Sequence, residues 1–258
     1  MRKTILCGLA LIAAVPVSAQ QPAGNDVRYQ QCVALVNKKP DDAFEQALEW
    51  RDHGGGLAAE HCAALAELAL KEPADAAVRL DRIAHSQEAG DAGMRAELLD
   101  QSGNAWLLAG QPEDAEASFS AALSLTPADV DVLIDRSRAR AMRKDWAGAE
   151  SDLTRAYDFN KSNPEVLVLR ASARGAQGRN ADAKADIDAA LAVDPNFPDA
   201  LVERGAYRMR TGDRAGARAD WLQVIARAPN TGAADSARKY IEDMEVNPQA
   251  NVAQPAQE

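Results

Sequence analysis

The residue types best suited to chemistry lie near the start of the chain, where Cys32 and Cys62 flank His53 and His61. Two such thiols could form a disulfide, stay as free buried thiols, or bind a metal together with histidine. Zinc sites usually show tight Cys-x-x-Cys or His-x3-5-His pairs, which this region lacks. The third cysteine, Cys7, lies in the N-terminal segment that we expect to be removed, which leaves two. In an oxidising compartment an even number of cysteines favours a disulfide. We therefore predict a Cys32–Cys62 disulfide and no metal site.

The N-terminus supports an oxidising destination. Arg2 and Lys3 precede an apolar run of about 14 residues, and the small residues Val17, Ser18 and Ala19 follow it. This is the pattern of a secretory signal peptide, with cleavage after Ala19. The apolar run is shorter than the roughly 20 residues that span a bilayer. We expect residues 1–19 to be removed and the mature chain to be periplasmic or secreted, without membrane insertion.

The charge of the chain limits its partners. Arg2 and Lys3 are the only charged residues of the predicted signal, so its removal changes the formal charge from −10 to −12. An acidic surface repels phosphate backbones and anionic lipid headgroups. We therefore expect no nucleic-acid partner and no binding to membrane surfaces.

An internal repeat of 34 residues organises the chain between residues 96 and 231. Four kinds of position recur at this spacing: a leucine, a small residue four positions later, an alanine further along, and a proline near the end of most repeats. They are Leu99, Leu133, Leu167 and Leu201; Gly103, Ser137, Ala171 and Gly205; Ala115, Ala149, Ala183 and Ala217; and Pro127, Pro195 and Pro229. The units are 96–129, 130–163, 164–197 and 198–231. Their recurrence together predicts a repeat architecture.

Each unit is predicted to be an antiparallel pair of helices. In the second half of the first unit, Ala115, Phe119, Ala122 and Leu123 are spaced as on one face of a helix. A turn signal such as Gly110-Gln111-Pro112 separates the two halves. The small residues let the paired helices approach closely, and Phe119 with its counterparts Leu153, Ile187 and Trp221 fills the space between them.

These residues resemble the tetratricopeptide-repeat (TPR) family over four consecutive units. The resemblance implies an all-α fold, a right-handed superhelical solenoid of antiparallel helical hairpins. One departure concerns the aromatic residue that often packs in the first helix of a unit. Trp106 is the only such residue here, and its counterparts are Arg140, Arg174 and Arg208.

Arginine and aspartate recur together in the last three units. Arg136 and Arg140 precede Asp152, and the pattern repeats as Arg170, Arg174 and Asp186 and as Arg204, Arg208 and Asp220. The first unit lacks it and has Ser102, Trp106 and Ser118. An anionic ligand could bind such a ladder of arginines. Because each aspartate would neutralise it, we favour a repeated salt bridge, for which the forked guanidinium is suited.

The rest of the chain completes the stack. Residues 20–27 are expected to be a flexible segment, and residues 28–86 two degenerate hairpins that the disulfide staples. Residues 87–231 hold the four regular units, 232–244 a capping helix, and 245–258 a disordered tail with little apolar content. A disulfide that closes a loop of about 30 residues adds about 3 to 4 kcal/mol by chain entropy. This would steady a terminal hairpin that has a neighbour on one side only.

No pattern of residues indicates catalysis. The four regular units contain neither histidine nor cysteine, and the chain lacks His-Glu-x-x-His, Gly-x-Ser-x-Gly and a phosphate-binding glycine loop. We therefore expect no enzymatic activity and no cofactor.

The resemblance instead implies a binding groove lined by the first helices, since stacked hairpins commonly hold an extended peptide or a helix there. The side chains that would line it are Asn104, Leu107, Leu108, Ile134, Arg138, Met142, Val168, Ser172, Val202, Met209 and Arg210. Some of them could equally fill contacts between units. One TPR subtype grips a terminal carboxylate with basic residues, but Asp100, Asp135 and Glu165 make that mode unfavourable here.

We therefore expect a non-enzymatic adaptor of the bacterial cell envelope that binds a protein or peptide of unknown identity. The alternative is a thiol-disulfide or metal-responsive protein that uses Cys32 and Cys62. Self-association through the terminal repeats is a further possibility for this architecture.

Overall fold

The computed structural model describes residues 23–246, and this part of the chain is built from thirteen α-helices. They are α1 (Ala23–Val36), α2 (Pro40–Trp50), α3 (Gly56–Ala69), α4 (Pro73–Ala84), α5 (Ala92–Leu108), α6 (Pro112–Leu125), α7 (Val130–Met142), α8 (Trp146–Phe159), α9 (Pro164–Ala176), α10 (Asn180–Val193), α11 (Pro198–Arg210), α12 (Arg214–Arg227) and α13 (Gly232–Val246). An irregular turn, Arg51–Gly55, separates α2 from α3, and a 3₁₀ turn, Gln87–Ala89, lies between α4 and α5.

Local chemistry explains where the helices begin and turn. Prolines occupy the first positions of α2, α4, α6, α9 and α11, where the missing N–H costs nothing. The side chain of Asp129 accepts hydrogen bonds from the first backbone N–H groups of α7. Each hairpin turn from α3 onward contains one residue with positive φ, which is Gly110 between α5 and α6 and Lys144 between α7 and α8. Lys144 explains how the second unit turns without glycine.

Consecutive helices form six hairpins, α1–α2 through α11–α12, and α13 packs on the last of them. Within a hairpin, the size of the small residue matches the side chain it faces. Gly103 lies under Phe119, and Gly205 under Trp221, so closely that an added Cβ would overlap these rings. The middle hairpins have Ser137 and Ala171 at the equivalent small positions and the smaller Leu153 and Ile187 at the equivalent filling positions. Glycine thus occurs with the two aromatic side chains, and serine or alanine with the two aliphatic ones.

The Arg and Asp ladder is part of the scaffold. Arg170 on α9 donates two hydrogen bonds to Asp186 on α10, of 3.0 and 2.7 Å, and Arg174 donates a third of 2.7 Å. The same three bonds join Arg136 and Arg140 to Asp152, and Arg204 and Arg208 to Asp220. All three aspartates are buried. The expectation of a repeated salt bridge, rather than an anion site, is confirmed.

The ladder also joins neighbouring hairpins. Arg140 bonds Glu116 of the preceding hairpin at 2.9 Å, and Arg174 bonds Glu150 at the same distance. The corresponding residue of the next hairpin is Lys184, which pairs with Asp188 on its own helix. Arg208, which corresponds to Arg140 and Arg174, therefore has no acidic partner at this position of α10.

The α3–α4 and α5–α6 hairpins pair their buried polar side chains differently. Arg79 lies on the second helix, α4, and pairs with Glu67 and Glu60 on α3, so the positions of acid and base are exchanged. In the α5–α6 hairpin, Ser102 takes the place of an arginine and donates to the carbonyl of Ala77 at 3.0 Å. Arg79 is thus paired within its own hairpin, whereas Ser102 takes its partner from the preceding hairpin.

Several predicted boundaries differ from the structure. Helix α1 begins at Ala23, within the segment 20–27 that we expected to be flexible, because it packs beside α2 and α3. Helix α5 begins at Ala92, four residues ahead of the first unit, and α13 continues to Val246, into the predicted tail. The predicted signal, 1–19, and the rest of the tail, 247–258, lie outside the described residues.

We predict that Asp186→Asn lowers the free energy of unfolding by about 3 to 5 kcal/mol, because it leaves the buried guanidinium of Arg170 without its carboxylate. The measurement is urea unfolding followed by circular dichroism. Asp182→Asn is the matched control, since this exposed acid of the same helix should change stability by less than about 0.5 kcal/mol. Equal effects of the two variants would contradict a structural role for the ladder.

Candidate functional site

The first helices of successive hairpins lie side by side, and their side chains meet across the inner face of the stack. Asn104 on α5 donates to Asp135 on α7 at 3.0 Å. Arg138 on α7 bonds both Asp135 and Glu165, the latter at the start of α9. These bonds show that the side chains of α5, α7 and α9 contact one another on this face, which we call the inner face.

The structure separates the predicted groove residues into three groups. Leu108, Met142 and Arg138 are exposed. Partly buried are Asn104, Leu107, Ser172, Val202 and Arg210. Fully buried are Ile134, Val168 and Met209, with 4, 7 and 6% of their surfaces exposed.

Ile134, Val168 and Met209 are therefore wrong as partner-binding residues. Ile134 belongs to the main apolar core, and Val168 packs with Ala190 and Ala200. Met209 is buried in the last core cluster together with residues of α13, Met244 among them. The physical reason is common to the three: a neighbouring helix already occupies the face that we expected to be open.

An apolar patch remains uncovered at the ends of α5 and α7. Leu108 is 74% exposed and Met142 is 53% exposed. They lie one repeat apart, at the same position of neighbouring first helices. We call these two residues the apolar patch.

In the last hairpin the position that corresponds to Leu108 and Met142 holds Arg210, and this side chain is engaged within the stack. Its guanidinium packs on Gly175 of α9, where a Cβ would lie 2.5 Å away, and donates to Glu203 at 3.2 Å. Burial raises the pKa of Glu203. Helix α13 packs against α11 and α12, so this end of the inner face is closed.

An acidic pocket lies between the first half of α5 and the beginning of α7. It has a volume of about 440 Å³ and is lined by the carboxylates of Glu97, Asp100, Asp129 and Asp131. We call it the acidic pocket. Sequence reasoning did not assign it, although a signal was present: Glu97 and Asp131 are one repeat apart and place acids at the same position of successive units.

Asp100 is the most perturbed group of this pocket. Burial, together with the carboxylates of Asp135, Asp129, Asp131 and Glu97, raises the pKa of Asp100 to about 7. Its Oδ1 atom is buried without a hydrogen-bond partner. Its other oxygen, Oδ2, accepts a long hydrogen bond of 3.4 Å from Asn104. Ionised Asp100 is therefore only partly compensated, and a positive charge brought into the pocket would stabilise it.

The two cysteines lie in a packed part of the N-terminal hairpins. The sulfur atoms of Cys32 and Cys62 lie within bonding distance, with their Cα atoms 6.3 Å apart, and both residues are buried between α1 and α3. His61 sits between the hydroxyl of Tyr29 at 2.8 Å and the side-chain oxygen of Gln101 at 2.7 Å. Both of its ring nitrogens are therefore engaged. Among the described residues, no group of three potential metal ligands is found.

Comparison with solved structures identifies the fold. PilF of Pseudomonas aeruginosa is 15% identical, with a TM-score of 0.61, and the match covers 85% of this chain and 97% of that one. TTC0263, a thermophilic TPR protein of Thermus thermophilus, is 17% identical, with a TM-score of 0.57 and coverages of 72% and 97%. YrrB, a TPR protein with an unusual peptide-binding site, is 19% identical, with a TM-score of 0.52 and coverages of 76% and 98%. No protein-family model matches the sequence, and no curated protein matches it significantly.

The chain thus has the fold of tetratricopeptide-repeat proteins, and the predicted fold class is confirmed. In the described part of the chain, none of the helices combines the length and the hydrophobicity needed to cross a bilayer.

The pocket predicts a pH-dependent stability. The pKa of Asp100 is about 7 in the folded chain against 3.8 ordinarily, so folding favours its protonated form and stability falls as the pH rises between these values. Asp100→Asn removes the charge at every pH. We expect this variant to gain stability relative to the parent chain at pH 8 and to gain less at pH 5, measured by urea unfolding. Asp114→Asn, an exposed control on α6, should show no such trend, and a pH-independent effect of Asp100→Asn would contradict the assignment.

Proposed function

We propose that this protein is a non-enzymatic adaptor of the bacterial cell envelope, which binds a segment of a partner protein along the inner face of α5, α7 and α9. The observation that carries the proposal is the apolar patch: Leu108 and Met142 present apolar side chains at equivalent positions of adjacent helices, and neither is covered. Exposed apolar side chains at equivalent positions of neighbouring first helices are suited to contact the apolar side chains of a partner.

The remaining inner-face residues support this use. Asn104, Leu107 and Ser172 are partly accessible and add polar and apolar contacts beside the patch. Met142 is unbranched and flexible, which suits an irregular partner surface. YrrB, a TPR protein with an unusual peptide-binding site, shares the fold. Val202 and Arg210 contribute less in this proposal, because α13 and Glu203 engage the last hairpin.

The groove is tested by capture with crosslinking in the native host, using the full chain and Met142→Glu. We expect the captured partner to fall at least tenfold, because a charge replaces the apolar contact. Leu222→Glu is the matched control: Leu222 is an exposed apolar residue of the second helix α12 and should leave capture unchanged. Arg138→Glu is a less clean variant, since Arg138 also bonds Asp135 and Glu165. Equal capture by Met142→Glu and the parent chain would exclude this groove.

The envelope setting and the disulfide are two further parts of the proposal. They rest on the N-terminal sequence and on the placement of Cys32 and Cys62. Burial of both thiols favours a structural bridge over the alternative, a thiol-disulfide switch, because a switch needs an accessible sulfur.

A single mass measurement tests both parts. The full chain, expressed in a bacterial host and recovered from the periplasm, should begin at Gln20 and weigh two hydrogens less than its free-thiol form. In the folded chain dithiothreitol should leave the mass unchanged, whereas it should add the two hydrogens after unfolding in urea. The control, Cys62→Ser, should show one free thiol once unfolded. An uncleaved N-terminus would contradict export, and rapid reduction of the folded chain would favour the switch.

A further inference from the structure

The apolar patch and the acidic pocket lie on the same pair of first helices. The pocket involves Glu97 and Asp100 on α5 and the beginning of α7, while Leu108 and Met142 end these helices. Asp100 and Leu108 are eight residues apart on one helix, which corresponds to about 12 Å along its axis. A single ligand of modest length can therefore contact both.

The charge of the pocket selects among possible ligands. Its lining contains four carboxylates and neither lysine nor arginine. Elsewhere in the described chain, buried or half-buried carboxylates such as Asp152, Asp186 and Glu150 are paired with arginine. For residues 23–246 the structure shows no ion pair at Glu97, Asp100, Asp129 or Asp131, whereas nearby Asp135 is neutralised by Arg138. Asp129 also caps the N-terminus of α7. The pocket nevertheless keeps a concentrated negative charge that no lysine or arginine of residues 23–246 neutralises.

The burial of Asp100 strengthens this contrast. Its Oδ1 is enclosed and unsatisfied, so the ionised carboxylate is costly in the free protein. A lysine or arginine side chain would give that oxygen a charged hydrogen-bond donor. A carboxylate or phosphate in the same place would add repulsion to four existing acids.

We propose that the inner face of α5 and α7 docks a cationic, amphipathic peptide segment, with lysine or arginine side chains in the acidic pocket and aliphatic side chains on Leu108 and Met142. The inference rests on the proposed function and names the chemistry of its partner. The separation of about 12 Å corresponds to about four residues of extended peptide or about eight residues of helix. Basic and aliphatic residues at one of these two spacings define the motif.

Binding of this segment is linked to protons. Because burial places the pKa of Asp100 at about 7, its carboxyl is partly protonated near neutral pH. A bound cation favours the ionised form, so the proton is released on binding. The affinity therefore rises between pH 6 and pH 8.

The test uses a random 12-residue peptide library displayed on phage, selected on the mature chain, residues 20–258. We expect enriched peptides to carry lysine or arginine together with leucine, isoleucine or valine at the spacings given above. The most enriched peptide, synthesised with a fluorescent label, is then titrated by anisotropy at pH 6 and pH 8. Its affinity should be at least tenfold lower for Asp100→Asn/Asp131→Asn than for the parent chain, and the rise with pH should disappear.

The control variant is Asp114→Asn/Asp158→Asn, which removes the same charge from exposed positions of the second helices α6 and α8 and should change affinity by less than twofold. Equal losses in both double variants would overturn the inference, because bulk charge would then explain binding. If the enriched peptides are uncharged or acidic, the inference is overturned. If Met142→Glu also abolishes their binding, that result supports the groove itself. Failure to enrich any peptide would count against the inference and the proposed function together.

Discussion

Each of the buried carboxylates Asp152, Asp186 and Asp220 is held by two guanidinium groups, and the spacing of the last three hairpins depends on these clusters. A carboxylate removed from water is strongly unfavourable unless its lone pairs are satisfied. The two arginines lie one turn apart on the first helix of a hairpin, and the aspartate lies on the second helix. The relative position of the two helices is therefore determined by electrostatics as well as by apolar packing.

This arrangement influences what the surface can bind. The arginines that could have made a basic groove are turned into the hairpins, and two of them reach the preceding hairpin through Glu116 and Glu150. The inner face is left with carboxylates that have no arginine partner and with two uncovered apolar side chains. The site is thus acidic because the arginines of the ladder are paired with buried acids of the scaffold and do not reach the site.

Local signals were sufficient to predict the hairpins. Helical spacing, turn residues and the 34-residue period all act over short distances, and the pairing of Arg170 with Asp186 could be anticipated because both recur together. The start of α1 at Ala23 differs from the predicted flexible segment, and α1 packs against α2 and α3, which are distant signals that its own sequence does not carry. The groove was harder to predict because accessibility depends on neighbours: Leu108 is exposed, whereas Ile134, at another position of a first helix, is buried in the core. The acidic pocket involves helix ends from two units, and its shape emerges only when they are stacked.

Lys184 affects the stability of the junction between the last two hairpins. At the two preceding junctions an acid at this position receives an arginine from the next hairpin, whereas Lys184 turns to Asp188 on its own helix. In a solenoid each hairpin contacts only its neighbours, so a weaker junction becomes the boundary of a cooperative unit. Helices α11 to α13 would then exchange their amide hydrogens through an opening of their own, at a lower free energy than the helices before them, while α5 and α7 keep their shape.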